Sequence, residues 1–212
     1  MSVLVDREIR ELALQGMIHP FRDEKISSKI IGDTFYRVPS FGLSHAGYDV
    51  VLQPKWKYYS NTASTKHSRL PREEIMFDGV GNLRPHRYPD PVSILDNTDE
   101  YFEERESEVF ILKSGCFVLG VTEETFDLPG DIVGSLYCKS TLARMGLILP
   151  PTIAEPGWKG ELVVEIFNGS PRDIILYAGV GIGQMIFWRT SGSDTLYDGK
   201  YQNQSGVQCA VQ

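Results

Sequence analysis

Short apolar runs separated by turns that carry Gly and Pro dominate the chain from residue 109 to residue 188. Val109–Leu112, Cys116–Leu119, Ile132–Tyr137, Glu161–Phe167, Ile174–Tyr177 and Ile182–Trp188 are each too short for a stable helix and are rich in Val and Ile, so they read as strands. Lys113-Ser114-Gly115 reads as the turn of a hairpin, and Pro129-Gly130-Asp131 as a second turn. Strand, tight turn, strand, without helices between, indicates a sandwich or barrel rather than alternating β-α units.

Upstream, Val3–Gly16 reads as a helix with Asp6 as N-cap, an Ile9, Leu12, Ala13 stripe and Gly16 as its stop. Ser40–Leu52 leads from a glycine-rich turn into a strand; Tyr48 with Asp49 there could serve a site or simply close the turn. Between Trp56 and Arg105 the apolar pattern breaks down, and Pro85, Pro89 and Pro91 deny a long helix. That region reads as an irregular surface insertion, with a solvated charge run over Glu100–Glu108. The tail from Ser191 is rich in Gly, Ser, Asp and Gln, and by composition alone is a loose terminus.

The 212 residues suit one domain with a core of its own. A formal net charge of −7 argues against a general nucleic-acid binder, though a local basic cluster could hold a small anion. Three scattered Cys and no C-x-x-C fit a reducing compartment and offer no readable zinc motif. No apolar run approaches ~20 residues, and the N-terminus lacks a signal-peptide pattern. The expectation is a soluble cytoplasmic protein, with neither nucleic acid nor membrane as partner.

The chemistry concentrates between Cys138 and Asn168. Glu165 stands inside an apolar strand, where a carboxylate is unusual and costs several kcal/mol to bury unless it is used or satisfied. Period-two geometry puts it on the face of Val163 and Phe167. Lys139-Ser140-Thr141 opens a short helical turn ending at Gly146, with Ser140 or Thr141 as N-cap; its N–H groups, Lys139 and Arg144 suit an anion. Glu161 and Lys159 read as exposed and without a role. Trp158 could stack on a base, although core packing or a subunit contact is the commoner use.

Lys139-Ser140-Thr141-Leu142-Ala143-Arg144-Met145-Gly146, Pro156-Gly157-Trp158-Lys159-Gly160 and Val164-Glu165-Ile166-Phe167-Asn168 together resemble the signature of the dCTP deaminase family, within the dUTPase-like superfamily. Gly181-Ile182-Gly183-Gln184 and Lys200-Tyr201-Gln202-Asn203-Gln204-Ser205-Gly206 match as well. The resemblance implies a mainly β fold, a distorted jelly-roll or β-barrel of the dUTPase-like type with a short N-terminal helix and a few helical turns. It implies one domain over 1–190, with an irregular insertion at about 55–105, and a lid over 191–212. It further implies a homotrimer with shared sites, and hydrolytic deamination of dCTP at cytosine C4 to dUTP and ammonia in pyrimidine deoxynucleotide metabolism. dTTP enters as an inhibitor.

In that reading Glu165 and Ser140 are catalytic and, with a carbonyl near Pro151, align the water. Lys139, Thr141, Arg144, Pro151, Glu155, Val163, Gln184, Tyr197, Lys200, Tyr201 and Gln204 bind substrate. The zinc deaminase motifs H-x-E and P-C-x-x-C are absent, and His19, His45, His67 and His86 are scattered upstream, so the reaction is expected to use no zinc. Mg²⁺ would ride on the triphosphate. The family corner Arg-Ile-Asp-Pro-Gly-Trp is here Ile153-Ala154-Glu155-Pro156-Gly157-Trp158, on a shorter loop, so the nucleotide accepted could differ. A bifunctional deaminase–dUTPase giving dUMP, and a non-catalytic nucleotide-binding regulator, are the alternatives.

Overall fold

The computed structural model describes residues 2–59 and 97–211; His67, His86, Pro85, Pro89 and Pro91 lie outside them. The chain opens with β1 (Ser2–Val3), α1 (Asp6–Leu14), β2 (Ile18–His19), β3 (Ile26–Ile31), β4 (Thr34–Ser44), β5 (Gly47–Val51) and β6 (Lys55–Tyr59). It continues through β7 (Phe102–Glu106), β8 (Val109–Leu112), β9 (Phe117–Asp127), β10 (Ile132–Cys138) and α2 (Ser140–Ala143). The last strands are β11 (Leu147–Ile148), β12 (Ile153–Ala154), β13 (Lys159–Asn168), β14 (Ile174–Tyr177) and β15 (Gly181–Arg189). Among the described residues no helix is long and apolar enough to cross a membrane.

Two antiparallel sheets face each other. The first runs β12-β10-β15-β5-β4-β3, with β1 added to β15; the second runs β11-β13-β9-β6-β7, with β2 added to β9. β14 and β8 form a separate pair. The fold is mainly β and of distorted jelly-roll type; among the described residues the sheets do not close into a barrel. Alternation places the core. Leu136 and Phe187 point inward from the first sheet, Val164 and Ile166 from the second, and all are buried in one cluster. Fully burying a side chain of this size contributes roughly 1.5–3 kcal/mol.

Several expectations need correction. α1 starts at Asp6, and its N-cap is Val5, because the Glu8 carboxylate reaches back to accept the Val5 N–H at 3.2 Å. The 109–119 hairpin does not form. β8 pairs with β14 while β9 pairs with β13, so Lys113–Gly115 carries the chain from one sheet to another. The irregular region is narrower than 55–105 at both ends: β6 and β7 pair along their length, with Trp56 buried in the core. Lys55 and Lys57 in β6, and the unbroken charge run Glu103–Glu106 in β7, mask their strand character.

Candidate active site

β13 has two faces. Leu162, Val164 and Ile166 enter the core, whereas Val163, Glu165 and Phe167 point away from it. Glu165 stands opposite Leu119 of β9, and Leu119 in turn opposite Lys57 of β6. This outer face is roofed by the C-terminal tail, and a cavity of about 530 Å³ lies between them. Glu165, Val163, Glu155, Tyr197, Tyr201 and Gln204 all line it. Burial pushes the Glu165 carboxyl above the ordinary carboxylate range, and among the described residues it has no side-chain partner.

The tail is docked rather than loose, contrary to what its composition suggests. Gly160 bridges to Gln204 in parallel, and the Glu161 N–H donates to the Gln204 carbonyl at 2.9 Å. The Gln204 amide returns a bond to the Glu161 carbonyl at 2.8 Å. The Trp158 indole N–H donates to the Tyr201 carbonyl at 3.0 Å, and Gln202 donates to Gly157 and Tyr197 carbonyls. Further on, the Ala210 N–H donates to Thr98 Oγ1 at 3.1 Å. The polar residues that look like linker composition are the ones making these bonds.

The Pro-Gly-Trp-Lys-Gly segment is the socket for that tail. A Cβ at Gly157, where φ is +80°, would meet Leu196 at 2.7 Å; one at Gly160 would meet the Gln204 backbone at 2.8 Å. Trp158 is buried, which settles it as a packing residue at the cavity edge. Glu161 is not idle: its carboxylate accepts the Gly206 N–H at 2.6 Å and so pins the tail.

The other sequence-selected residues lie outside this cavity. Ser140 and Thr141 on α2, and Arg144 just past its end, are exposed; α2 packs on β11, which pairs with the far end of β13. The N-cap of α2 is Lys139, without a side-chain cap, so neither Ser140 nor Thr141 caps it. The Lys139 ammonium turns inward, 2.5 Å from Asp49 Oδ2 and 3.1 Å from Ser40 Oγ, which gives Asp49 its role. Tyr48 instead holds the 20–22 segment, accepting the Arg22 N–H at 3.0 Å. Gln184 is half-buried on β15, in register with Asp49 and Tyr137. Pro151 lines a separate hollow of about 330 Å³ with Tyr137 and Trp188. Lys200 bonds the Val211 carbonyl and lies over the Tyr201 ring.

Sequence reasoning missed much of the cavity wall, including Tyr59, Phe102, Phe117, Leu119, Thr152 and Cys209. Period-two alternation in 117–121 signals a strand but cannot say which face meets a ligand. Thr152 Oγ1 is buried without a hydrogen-bond partner among the described residues. Among the described residues no cluster of three or more His, Cys, Asp or Glu is placed to hold a metal. One buried-edge carboxylate, an orphan hydroxyl and an apolar surround can hold a flat heterocycle and move protons at it.

The fold and site define a mainly β protein of distorted jelly-roll type with a half-buried carboxylate on the wall of a roofed cavity, and the comparisons with known proteins narrow that class. The model of a family described as dCTP deaminase-like matches residues 3–190. The chain belongs to that family. It is 34% identical to a dCTP deaminase of Wolbachia sp. subsp. Brugia malayi, over 98% of this chain and 97% of that protein. It is 33% identical to one of Herpetosiphon aurantiacus, with the same coverage. Among solved structures it is similar to the 2'-deoxycytidine 5'-triphosphate deaminase from Agrobacterium tumefaciens, with TM-score 0.53 and 20% identity. That match covers 87% of this chain and 47% of the longer one, and it supports the fold.

Proposed function

We propose that the protein is a dCTP deaminase that hydrolyses the C4 amino group of dCTP to give dUTP and ammonia. The observation that carries this reading is Glu165: an unpaired, half-buried carboxylate on the wall of a roofed cavity, with its pKa raised. Water bonds to C4 while Glu165 accepts its proton. The same carboxyl passes a proton to the ring nitrogen and then to the departing amine as the C4–N bond breaks. A pKa nearer the working pH lets one group serve as base and then acid.

Ser140, Thr141 and Arg144 do not reach this cavity within one chain. That separation supports a homotrimer in which α2 of one copy completes the cavity of its neighbour. Ser140 then orients the water, and Arg144 with Thr141 holds the triphosphate. Lys139 reaches a phosphate only by leaving Asp49. Residues 191–212 act as the lid of the 1–190 domain, with Tyr197, Tyr201, Gln204 and Lys200 over the nucleotide. Mg²⁺ enters on the triphosphate and the water needs no zinc. The three free thiols suit a cytoplasmic enzyme, and dTTP suits the same site as an inhibitor.

Glu155 stands at the position where an Asp would support attack on the α-phosphorus, but it is exposed and one methylene longer. A misplacement near 1 Å costs about a hundredfold, so dUTP rather than dUMP is the product. Incubation with dCTP and Mg²⁺, followed by ammonia assay and phosphorus NMR, tests the reading. Ammonia without pyrophosphate is expected; stoichiometric pyrophosphate supports the bifunctional alternative, and no ammonia overturns deamination. Mixing Arg144→Ala chains with Glu165→Gln chains tests the shared site: activity reappears in exchanged oligomers if it is correct.

A further inference from the structure

We infer that Thr122, a buried residue outside the cavity wall, is the positioning residue that fixes where Glu165 stands, because its hydroxyl locks the register of β13 against β9. The ladder between these strands is interrupted once. Glu161 pairs with Thr125 and Val163 with Val121, so the β9 segment from Thr122 to Glu124 stands against Leu162 alone. A bulge of this kind leaves residues out of the ladder. Thr122 closes the gap with one hydroxyl. Its Oγ1 accepts the Leu162 N–H at 2.9 Å and donates to the Glu124 carbonyl at 2.7 Å, and both bonds are buried. Thr122 is itself held from behind: it bridges to Leu52, and its carbonyl accepts a bond from Gln53 Nε2 at 2.9 Å.

From Val163 to Phe167 the register runs without a break and sets Glu165 opposite Leu119. Whatever fixes Leu162 therefore fixes Glu165. The tail grips β13 from its opposite edge, where the Glu161 N–H donates to the Gln204 carbonyl at 2.9 Å. Roof and core thus hold adjacent residues of one strand from two sides.

Without the hydroxyl, the Leu162 N–H and the Glu124 carbonyl lose a buried partner, and that penalty favours any shift of the strand that finds them another. A slip of one residue would turn Glu165 to the other face. A smaller shift carries the carboxyl off the reacting atoms, and a displacement near 1 Å costs on the order of a hundredfold.

Thr122→Val keeps the shape and removes the hydroxyl, whereas Thr122→Ser keeps the hydroxyl. The kinetic arm of the test rests on the deaminase reading and uses the full chain with dCTP and Mg²⁺. Folded Thr122→Val should lose at least ~10-fold in kcat with KM within about threefold, and Thr122→Ser should stay within about threefold of the parent rate. The second arm follows the Glu165 carboxyl carbon by NMR against pH, without nucleotide. Burial sets its midpoint, so the midpoint should move in Thr122→Val and coincide with the parent's in Thr122→Ser. A role in stability alone lowers the melting temperature of Thr122→Val but moves neither kcat per folded molecule nor that midpoint. A parent-like kcat or a parent-like midpoint in Thr122→Val, or a serine variant that fails with it, overturns the inference and leaves the deaminase reading standing. No ammonia from the parent overturns the deaminase reading, and the midpoint alone then decides the inference. If Thr122→Val does not fold, Thr122→Cys, whose thiol is a weak donor and acceptor, is read by the same criteria.

Discussion

Glu124 on β9 and Glu165 on β13 belong to one antiparallel ladder, Glu124 inside its register shift and Glu165 beyond it. Both carboxyls are lifted by burial, Glu124 to about 7. Their surroundings differ. Glu124 is fully buried, 2.9 Å from the Arg22 guanidinium, and accepts the Val51 N–H at 3.0 Å. Arg22 also pairs with Glu123, and its backbone ties to Tyr48 and Leu43. Glu165 has an apolar wall and a cavity. A carboxylate surrounded by partners holds segments together. One left without partners costs stability, which is the cost a proton-transfer role for Glu165 would have to justify.

The largest expected effect is on the unpartnered group. Glu165→Gln is nearly isosteric but cannot accept and return a proton. Deamination should fall by about 10²–10⁴-fold while nucleotide binding and the melting temperature hold or rise. A variant within tenfold of the parent rate would remove Glu165 from the mechanism. The same group sets the acid limb of kcat/KM. Its base form is needed, so the limb falls above the ordinary carboxylate range and activity declines as pH drops through it; a pH–rate profile checks this.

Next in size is the partnered group. Glu124→Ala leaves the Val51 N–H unsatisfied in the interior and Arg22 with Glu123 as its remaining partner, so the fold should lose about 1–3 kcal/mol, read by chemical denaturation. Activity per folded molecule should change little, in contrast to Glu165→Gln. If Glu124→Ala melts like the parent, the structural role assigned to it is wrong.

The smallest effect is the proton linkage of Glu124. Its folded pKa of about 7 lies above the ordinary 4.5, so between these values the folded state holds more protons than the unfolded chain. This group's contribution to stability therefore declines as pH rises from 4.5 to about 7 and is flat on either side. The decline is roughly 1–3 kcal/mol. Denaturation midpoints across that range should slope downward in the parent, and the slope should flatten in Glu124→Gln.

This contrast also marks what the sequence could show. The strand 161–167 and the outward face of Glu165 are legible because period-two alternation is a local signal. The tail socket is half legible: Pro-Gly-Trp-Lys-Gly stands out, but its purpose depends on Gln204, forty-odd residues downstream. The Glu124–Arg22 pair is not legible, since Arg22 lies 102 positions away, on the segment between β2 and β3, and only the fold brings the two together. Lys139 was selected as a cation for phosphate, yet its partner Asp49 lies on a strand whose neighbours no local pattern reveals. β6 and β7 escaped because dense charge hides strands that make ion pairs, as Lys57 does with Asp99 and Glu104.

The docked tail has a consequence for access to the cavity. Floor and roof of the cavity hang from the same strand: Glu165 lies five residues past Gly160, a separation of about 17 Å along an extended chain. Ala210 and Thr98 exchange hydrogen bonds in both directions at an exposed position, whereas Gln204 is bonded to Gly160 and Glu161 against the strand that carries Glu165. Uncovering the floor fully would mean breaking both sets of bonds, and the set at Gln204 sits on the very strand that carries Glu165, so floor and roof share one anchor.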